Sequence, residues 1–411
     1  MGRIIHMPDG KVLFQRYGKD DTEHNYSVSR LDLNKFLLNA AADAGAELHF
    51  DHALLETSDF LTEGSVGSCL HFKCGQADFL KVHADCPVIA CDGAGSRVRY
   101  ALRRCGLTEF TEDLLTRGYK EVLFPKPEEG KDFGAQGENG EACDGRLGLH
   151  IWPRGDHMLM ALANRDGSFT GTIYMDNEGE DEAFAAFTDT PEGRAKCAAF
   201  CEKYYAHAIP HVGGLDSLVN QIVKNPTGIL GTVRATKWAS QGKVLLIGDS
   251  CHAMVPFFGQ GCNCGFEDTL WLSRLVDKYC CEGGKVSPEK CTGENFAACF
   301  AAVEAERKPS ADAICEMALE NFLEMRDKTG DEKFQVLKKV ENRLENTFPH
   351  KFRSRYAMVC YGGEGNVSYA NAKDLGLVQA SILEKLWDIA GGISSDQVNS
   401  IELGDAEKLI D

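Results

Sequence analysis

The sequence predicts an α/β fold interrupted by a mostly antiparallel β unit and finished by a helical C-terminal region. Three observations carry that expectation. Two apolar runs, "CPVIACDGAG" and "KVLLIGDS", each lead into an adjacent aspartate and glycine, as strands do at the ligand-binding end of an open α/β sheet. Between them lies a long stretch of short strand-like segments broken by polar loops. Beyond Asn263 the apolar spacing is helical to the end of the chain.

In chain order, residues 1–16 contribute a strand, "GRIIH", to the β unit, and residues 17–106 open the α/β part. Ser29 and Asp32 form a capping box, and Leu33, Phe36, Leu37, Ala40, Ala41 and Ala44 follow at helical spacing until Gly45 ends the helix. "AELHFDHALLE" reads as a strand, "SCLHFKC" and "DFLKVHA" as a hairpin, and "CPVIACDGAGSRVRYAL" as a buried strand, a turn and a short helix. Residues 107–238 hold the short strands, among them "GYKEVLFP", "RLGLHIWPRG", "HMLMALANRDGSFTGTIYM" and "GILGTVRATKW". Their loop from Lys126 to Gly145 is acidic and Gly-rich, and is expected to be solvated and mobile. Residues 239–330 return to the α/β part, with Phe266, Leu270, Leu275 and Tyr279 expected on the inward side of a helix, and residues 331–411 are the helical end.

Composition narrows the function. With 43% hydrophobic and 26% charged residues over 411 positions, the chain is in the range of soluble enzymes with more than one packed unit. A formal charge of -18 opposes approach to nucleic acid or anionic lipid. The 17 Cys have no secretory signal before them, so free thiols in a reducing compartment are expected rather than a disulfide framework. No metal site is expected, because Cys262/Cys264 and Cys280/Cys281 are spaced too tightly for zinc and lack a second Cys pair. No run reaches the ~18 to 20 apolar residues that span a bilayer.

The chemistry concentrates in "KVLLIGDSCHAMVPFFGQGCNCGFED". Lys243 to Ile247 form a strand that puts the Asp249 carboxylate at its carboxyl end. Pro256 turns the chain, and Gly259, Gly261 and Gly265 let backbone N–H groups approach a flat or anionic ligand. The following helix points its positive end at that turn.

With its parts in this order, the segment resembles the Gly-Asp motif of the flavin-dependent aromatic hydroxylases, most closely the branch acting on L-kynurenine. The resemblance runs from Arg3 to about Tyr361 and implies an FAD/NAD(P)-binding domain with an inserted substrate domain, the latter made of residues 107–238 and the strand of residues 1–16. FAD would be held by Asp249, Pro256, Gly259, Gln260, Gly261, Cys262 and Asn263. "CDGAGSRVR" is similar to the segment that serves FAD and NADPH together, which picks out Asp92, Gly93 and Arg97; "YSVSRLDLNKFLL" places Arg30 on the flavin side of the cleft. "GRIIH" and "RYG" imply Arg3 and Tyr17 as partners of the substrate carboxylate, "NFLEMR" and "RYAMV" imply Asn321 and Tyr356, and Phe257 and Phe258 are candidate walls. A guanidinium suits a carboxylate, while a phenol or amide orients it without adding charge. His252 is expected to be packed and hydrogen-bonded rather than a base, and no side chain is expected to act as acid, base or nucleophile. The implied reaction converts L-kynurenine to 3-hydroxykynurenine with NADPH and O2.

The sequence has no Gly-x-Gly-x-x-Gly turn of the kind that receives a dinucleotide pyrophosphate. The first βαβ unit of the resembled family is therefore expected to be missing, with an exposed sheet edge and apolar face left behind and weak FAD binding by this chain alone. A hydroxylase with another aromatic substrate and a non-catalytic fragment are the alternative readings. A cytoplasmic, soluble chain is expected, whereas animal members of the resembled family are tied to the mitochondrial outer membrane by C-terminal apolar helices. Oligomeric state is left open.

Overall fold

A computed structural model of the chain describes residues 2–16, 23–55, 68–75, 78–127, 135–136, 142–327, 332–362, 367–394, 397–398 and 408–410. β1 (Gly2–His6) and β2 (Val12–Arg16) pair antiparallel. α1 (Arg30–Asp43) starts where the Ser29 hydroxyl accepts a hydrogen bond from the Asp32 N–H at 3.3 Å, and it ends just before Gly45 at φ +92°. The capping signal is thus realised, yet α1 buries none of its side chains. β3 (His52–Leu54), β4 (Ser68–Cys74) and β5 (Asp78–Ala84) make a three-stranded antiparallel sheet that contains the expected hairpin. "AELHFDHALLE" is strand only over those three residues of β3, because residues 46–50 have no neighbouring strand among the described residues and Asp51 turns the chain at φ +58°. β6 (Val88–Ala90) and α2 (Arg97–Arg104) follow.

The antiparallel unit is built on β7 (Phe110–Phe124), with a small pair, β8 (Ala135–Gln136) and β9 (Ala142–Cys143), in the acidic loop, most of which lies outside the described residues. β10 (Gly148–Pro153), β11 (Met158–Ala163) and β12 (Phe169–Asp176) continue it. Two helices the strand pattern did not announce, α3 (Pro191–Tyr205) and α4 (Leu215–Lys224), precede β13 (Gly228–Ala235). The seven strands run in the order β13-β7-β12-β11-β10-β1-β2, and every neighbouring pair is antiparallel except β1 with β10. Alternation along β12 buries Phe169, Ile173 and Met175 on one face and turns Thr172 and Tyr174 to the other. The buried face packs with Trp152 and Phe124 against Phe200 of α3 and Leu218 and Ile222 of α4. The opposite face is left to roof the cleft described below.

β14 (Ala239–Ser240) and β15 (Val244–Leu246) return to the α/β part, and β15 lies parallel to β6 in the sheet β14-β15-β6. Then come the single turn α5 (Asp249–His252) and the helices α6 (Gly261–Cys280), α7 (Gly293–Asp327), α8 (Glu332–Thr347), α9 (Arg355–Tyr361) and α10 (Tyr369–Ile389). Leu245, Leu246 and Trp238 form a core with Phe300, Ile314 and Met317 of α7. α6 turns Cys264, Asp268 and Leu275 inward, so the expectation for Leu275 holds. For Phe266 and Leu270 it fails: both are about half exposed, because the face of α6 toward α7 runs through Cys264 and Asp268 instead. The predicted class, an α/β fold with an antiparallel β insertion and a helical end, is the one observed. Among the described residues no helix is long and apolar enough to cross a membrane.

Candidate functional site

The parallel pair β6 and β15 brings the two aspartate and glycine turns side by side. The Ile247 N–H donates to the Ala90 carbonyl at 3.1 Å, and the Ser250 hydroxyl donates to the same carbonyl at 2.8 Å. Gly248 leaves the sheet at φ +62°, ψ -145°, and Gly93 and Gly259 also have positive φ, a region that favours glycine. A Cβ at any of the three would meet no atom within 4 Å, so this backbone borders open space. The 20 residues of α6 begin at Gly261 with no side-chain cap on its first N–H groups, and Gln260 turns its amide elsewhere, accepting from the Tyr369 hydroxyl at 3.0 Å and from Asn263 at 3.2 Å. A helix start with bare glycine backbone in front of it fits the edge of a flat ring that takes on negative charge, such as a flavin, or another partly anionic group.

Asp249 stands at the edge of this opening. Desolvation by neighbouring protein raises its pKa, opposed by the charges of His252 and Arg30, so the structure brings Arg30 into electrostatic reach of the turn. Asp92 is used differently from a simple ligand contact, since its carboxylate accepts from the Val98 N–H at 3.2 Å at the start of α2. Arg97 points outward, while Arg99, which sequence reasoning passed over, is fully buried. Its guanidinium donates to the Ser250 carbonyl at 2.8 Å, to the Ala94 carbonyl at 2.5 Å and to Glu112 at 2.7 Å, tying the two turns together.

Beneath the turns lies a second buried group that the sequence reading missed except for His252. The Asp268 carboxylate accepts from the Gly248 N–H at 2.9 Å, from His252 Nε2 at 2.5 Å and from Arg307 Nε at 2.8 Å. His252, Cys264 and Asp268 are close enough together to suggest a metal site. The Asp268 oxygens are instead engaged by one N–H and two basic side chains, which is the bonding of an ion-pair network. His252 is packed and hydrogen-bonded, as the sequence led us to expect. For the rest the sequence offered only the final Asp of "GFED", since Arg307 stands among other charged residues in "VEAERKPSAD".

On the roof side, Arg3 of β1 places its guanidinium carbon 5.5 Å from the centre of the Tyr356 ring of α9. Tyr356 lies along Phe258 at 5.8 Å, and its hydroxyl accepts a hydrogen bond from the Asn25 amide at 3.1 Å. Phe257 sits between Phe322 of α7 at 4.6 Å and Tyr174 of β12 at 5.3 Å. Asn321 donates to the Phe257 carbonyl at 2.8 Å. Arg3, Phe257, Phe258, Asn321 and Tyr356 are thus gathered in one region, joined by Tyr174 and Phe322, which sequence reasoning did not select. Tyr17 lies outside the described residues. An open cavity of about 510 Å³ lined by Lys237, Glu304, Lys308 and Asp312 shares no residue with this region.

Comparison with known proteins bears on the family and the fold. Residues 145–280 match the family model described as an FAD binding domain. Kynurenine 3-monooxygenase of Stenotrophomonas maltophilia (strain K279a) is 38% identical over 88% of this chain and 71% of its own length. The enzymes of the same name from Flavobacterium johnsoniae and Myxococcus xanthus (strain DK1622) are 35% and 37% identical, over 93% and 94% of this chain and 77% and 74% of their own lengths. Among solved structures, a flavoprotein/dehydrogenase from Cytophaga hutchinsonii aligns with TM-score 0.53 at 14% identity, covering 93% of this chain and 82% of that one. A 2-methyl-3-hydroxypyridine-5-carboxylic acid oxygenase aligns with TM-score 0.52 at 16% identity, covering 80% and 75%. At these identities the structures speak for the fold, and the sequence relatives decide the family: the chain belongs to the kynurenine 3-monooxygenase family.

Proposed function

We propose that the chain hydroxylates L-kynurenine to 3-hydroxykynurenine as an FAD- and NADPH-dependent monooxygenase. The observation that carries this reading is the meeting of two half-sites: the glycine backbone and Asp249 at the start of α6, and the Arg3, Tyr356, Phe257 and Asn321 group beside it. When bound, FAD supplies the redox chemistry by which NADPH and O2 hydroxylate an aromatic ring. Asp249, Gly259, Gln260, Gly261, Cys262 and Asn263 would hold it, with Arg30 on the same side and Asp92, Gly93 and Arg97 serving the shared FAD and NADPH contacts. The helix start and its N–H groups favour negative charge at the turn without moving a proton.

For the substrate, Arg3 would pair with the amino-acid carboxylate, with Tyr17 and Tyr356 orienting it by hydrogen bonds. The Phe257, Phe258 and Tyr174 rings offer an apolar wall that excludes water from the reacting ring. Asn321 acts through Phe257, fixing its carbonyl and hence the wall. No step in this account needs a side-chain nucleophile. The test is NADPH oxidation by the chain supplied with FAD, read with and without L-kynurenine, and 3-hydroxykynurenine identified by mass. Stimulation by L-kynurenine with matching product supports the reading. Stimulation by a simple phenolic acid alone reassigns the substrate, and no flavin uptake at all returns the chain to a non-catalytic role.

A further inference from the structure

Among the described residues the turn that carries Asp249 has no strand beyond it to hold its backbone. The sheet ladder ends with Ile247 on Ala90, and the next N–H, that of half-buried Gly248, is taken up by the Asp268 carboxylate of α6. The same oxygen of Asp268 accepts from His252, so one carboxylate oxygen grips the chain on both sides of Asp249. The other oxygen is held by Arg307 of α7, whose guanidinium also pairs with Glu267 at 2.8 Å and reaches the Cys264 carbonyl at 3.4 Å. Asp268, His252 and Arg307 are each no more than 1% exposed. A carboxylate so deep is tolerated only because two cations and an N–H surround it. Gly265 of α6 lies against this turn, where an added Cβ would make an ordinary van der Waals contact with the Gly248 Cα at 3.8 Å.

We propose that Asp268 is a positioning residue for cofactor binding: clamped by His252 and Arg307, it holds the Gly248 N–H and sets Asp249 against the start of α6. One side chain thereby couples the two elements that face the flavin, the turn and the helix. This rests on the flavin reading above for its consequence, though the anchor itself belongs to the chain alone. Asp268→Asn keeps the shape but must oppose an amide N–H to a donor, either Arg307 or the Gly248 N–H. Arg307→Lys keeps the charge and loses the planar fork that fixes the carboxylate.

The full chain and both variants are compared by amide hydrogen exchange at Gly248, with Leu218 and Ile222 of α4 as reporters in the other core, and by FAD titration of the folded protein followed by flavin fluorescence. In Asp268→Asn, exchange at Gly248 is expected to quicken by about tenfold or more with Leu218 and Ile222 unchanged, and the FAD dissociation constant to rise about tenfold. Arg307→Lys is expected to move both readings the same way by less. The proposal is overturned if folded Asp268→Asn leaves either reading within about twofold of the parent, or if Gly248, Leu218 and Ile222 quicken together, the mark of a general loss of stability. Should Asp268→Asn not fold, Arg307→Lys decides on the direction of the same two readings. A parent chain that takes up no FAD sinks the flavin reading, and the exchange at Gly248 then decides the anchor by itself.

Discussion

At the scale of single residues, Arg3 separates kynurenine chemistry from general ring hydroxylation. Its guanidinium lies beside Tyr356 on the roof side. If it meets the substrate carboxylate in a largely dry cleft, removing it costs about 2 to 5 kcal/mol of binding. Arg3→Ala is therefore expected to raise KM for L-kynurenine by more than about tenfold, while FAD occupancy measured from the flavin absorbance stays at the parent level. A KM unchanged in Arg3→Ala would take the carboxylate contact away from this residue. A second residue-scale outcome concerns pH. Burial opposes a charged His252, but its hydrogen bond to Asp268, with Cys264 adding to it, raises the imidazole pKa to about 10. A group whose folded pKa is raised gives stability that is fully present below its unfolded pKa and is lost as pH climbs through the folded one. Urea unfolding from pH 7 to 10 should thus show the parent losing stability faster than His252→Gln, and parallel slopes would remove His252 from the charge balance.

At the scale of elements, the glycines inside strands are the sharpest test of packing. Gly171 lies mid-strand in β12, and a Cβ there would stand 2.5 Å from the Phe124 ring, 2.8 Å from the Met160 carbonyl and 2.9 Å from the Val122 carbonyl. Two of those neighbours are backbone and cannot rotate away, so Gly171→Ala is expected to destabilise by about 1 to 3 kcal/mol, read as a lower urea midpoint with the slope unchanged. A midpoint equal to the parent's would mean that β7, β11 and β12 part more easily than their register implies. Elements were legible wherever local chemistry decided them. Ser29 announced α1, "SCLHFKC" and "DFLKVHA" announced their hairpin, and "KVLLIGD" announced a strand ending in a turn. α3 was missed although Thr190 caps it and Pro191 sits in its first turn, because its apolar residues, Cys197, Phe200, Cys201 and Tyr205, are sparse among charges. At the site, side chains adjacent in sequence to the turns were readable. Arg99, Asp268 and Arg307 were not, since what makes them matter is contact across α2, α5, α6 and α7, and no local spacing records that.

At the scale of the molecule, the balance between what is covered and what is open is uneven. The antiparallel unit and the core around Trp238 are closed, yet α1 carries Leu31, Phe36 and Leu37 at 60%, 67% and 42% exposure and buries nothing. Among the described residues β6 has no neighbour on its outer side, and Ile89 is 38% exposed. Apolar side chains shown on one helix favour association of the chain with itself, and a charge of -18 opposes it at low salt. Salt screens the repulsion and leaves the apolar attraction, so sedimentation velocity should show association growing with ionic strength. Leu31→Lys with Phe36→Lys should remove that growth, because both positions accept a good helix former and neither leaves a cavity. The double variant should also keep its unfolding free energy to within about 0.5 kcal/mol of the parent. A loss well beyond that would mean that α1 is covered in solution, and association untouched by the two lysines would place the sticky surface elsewhere on the molecule.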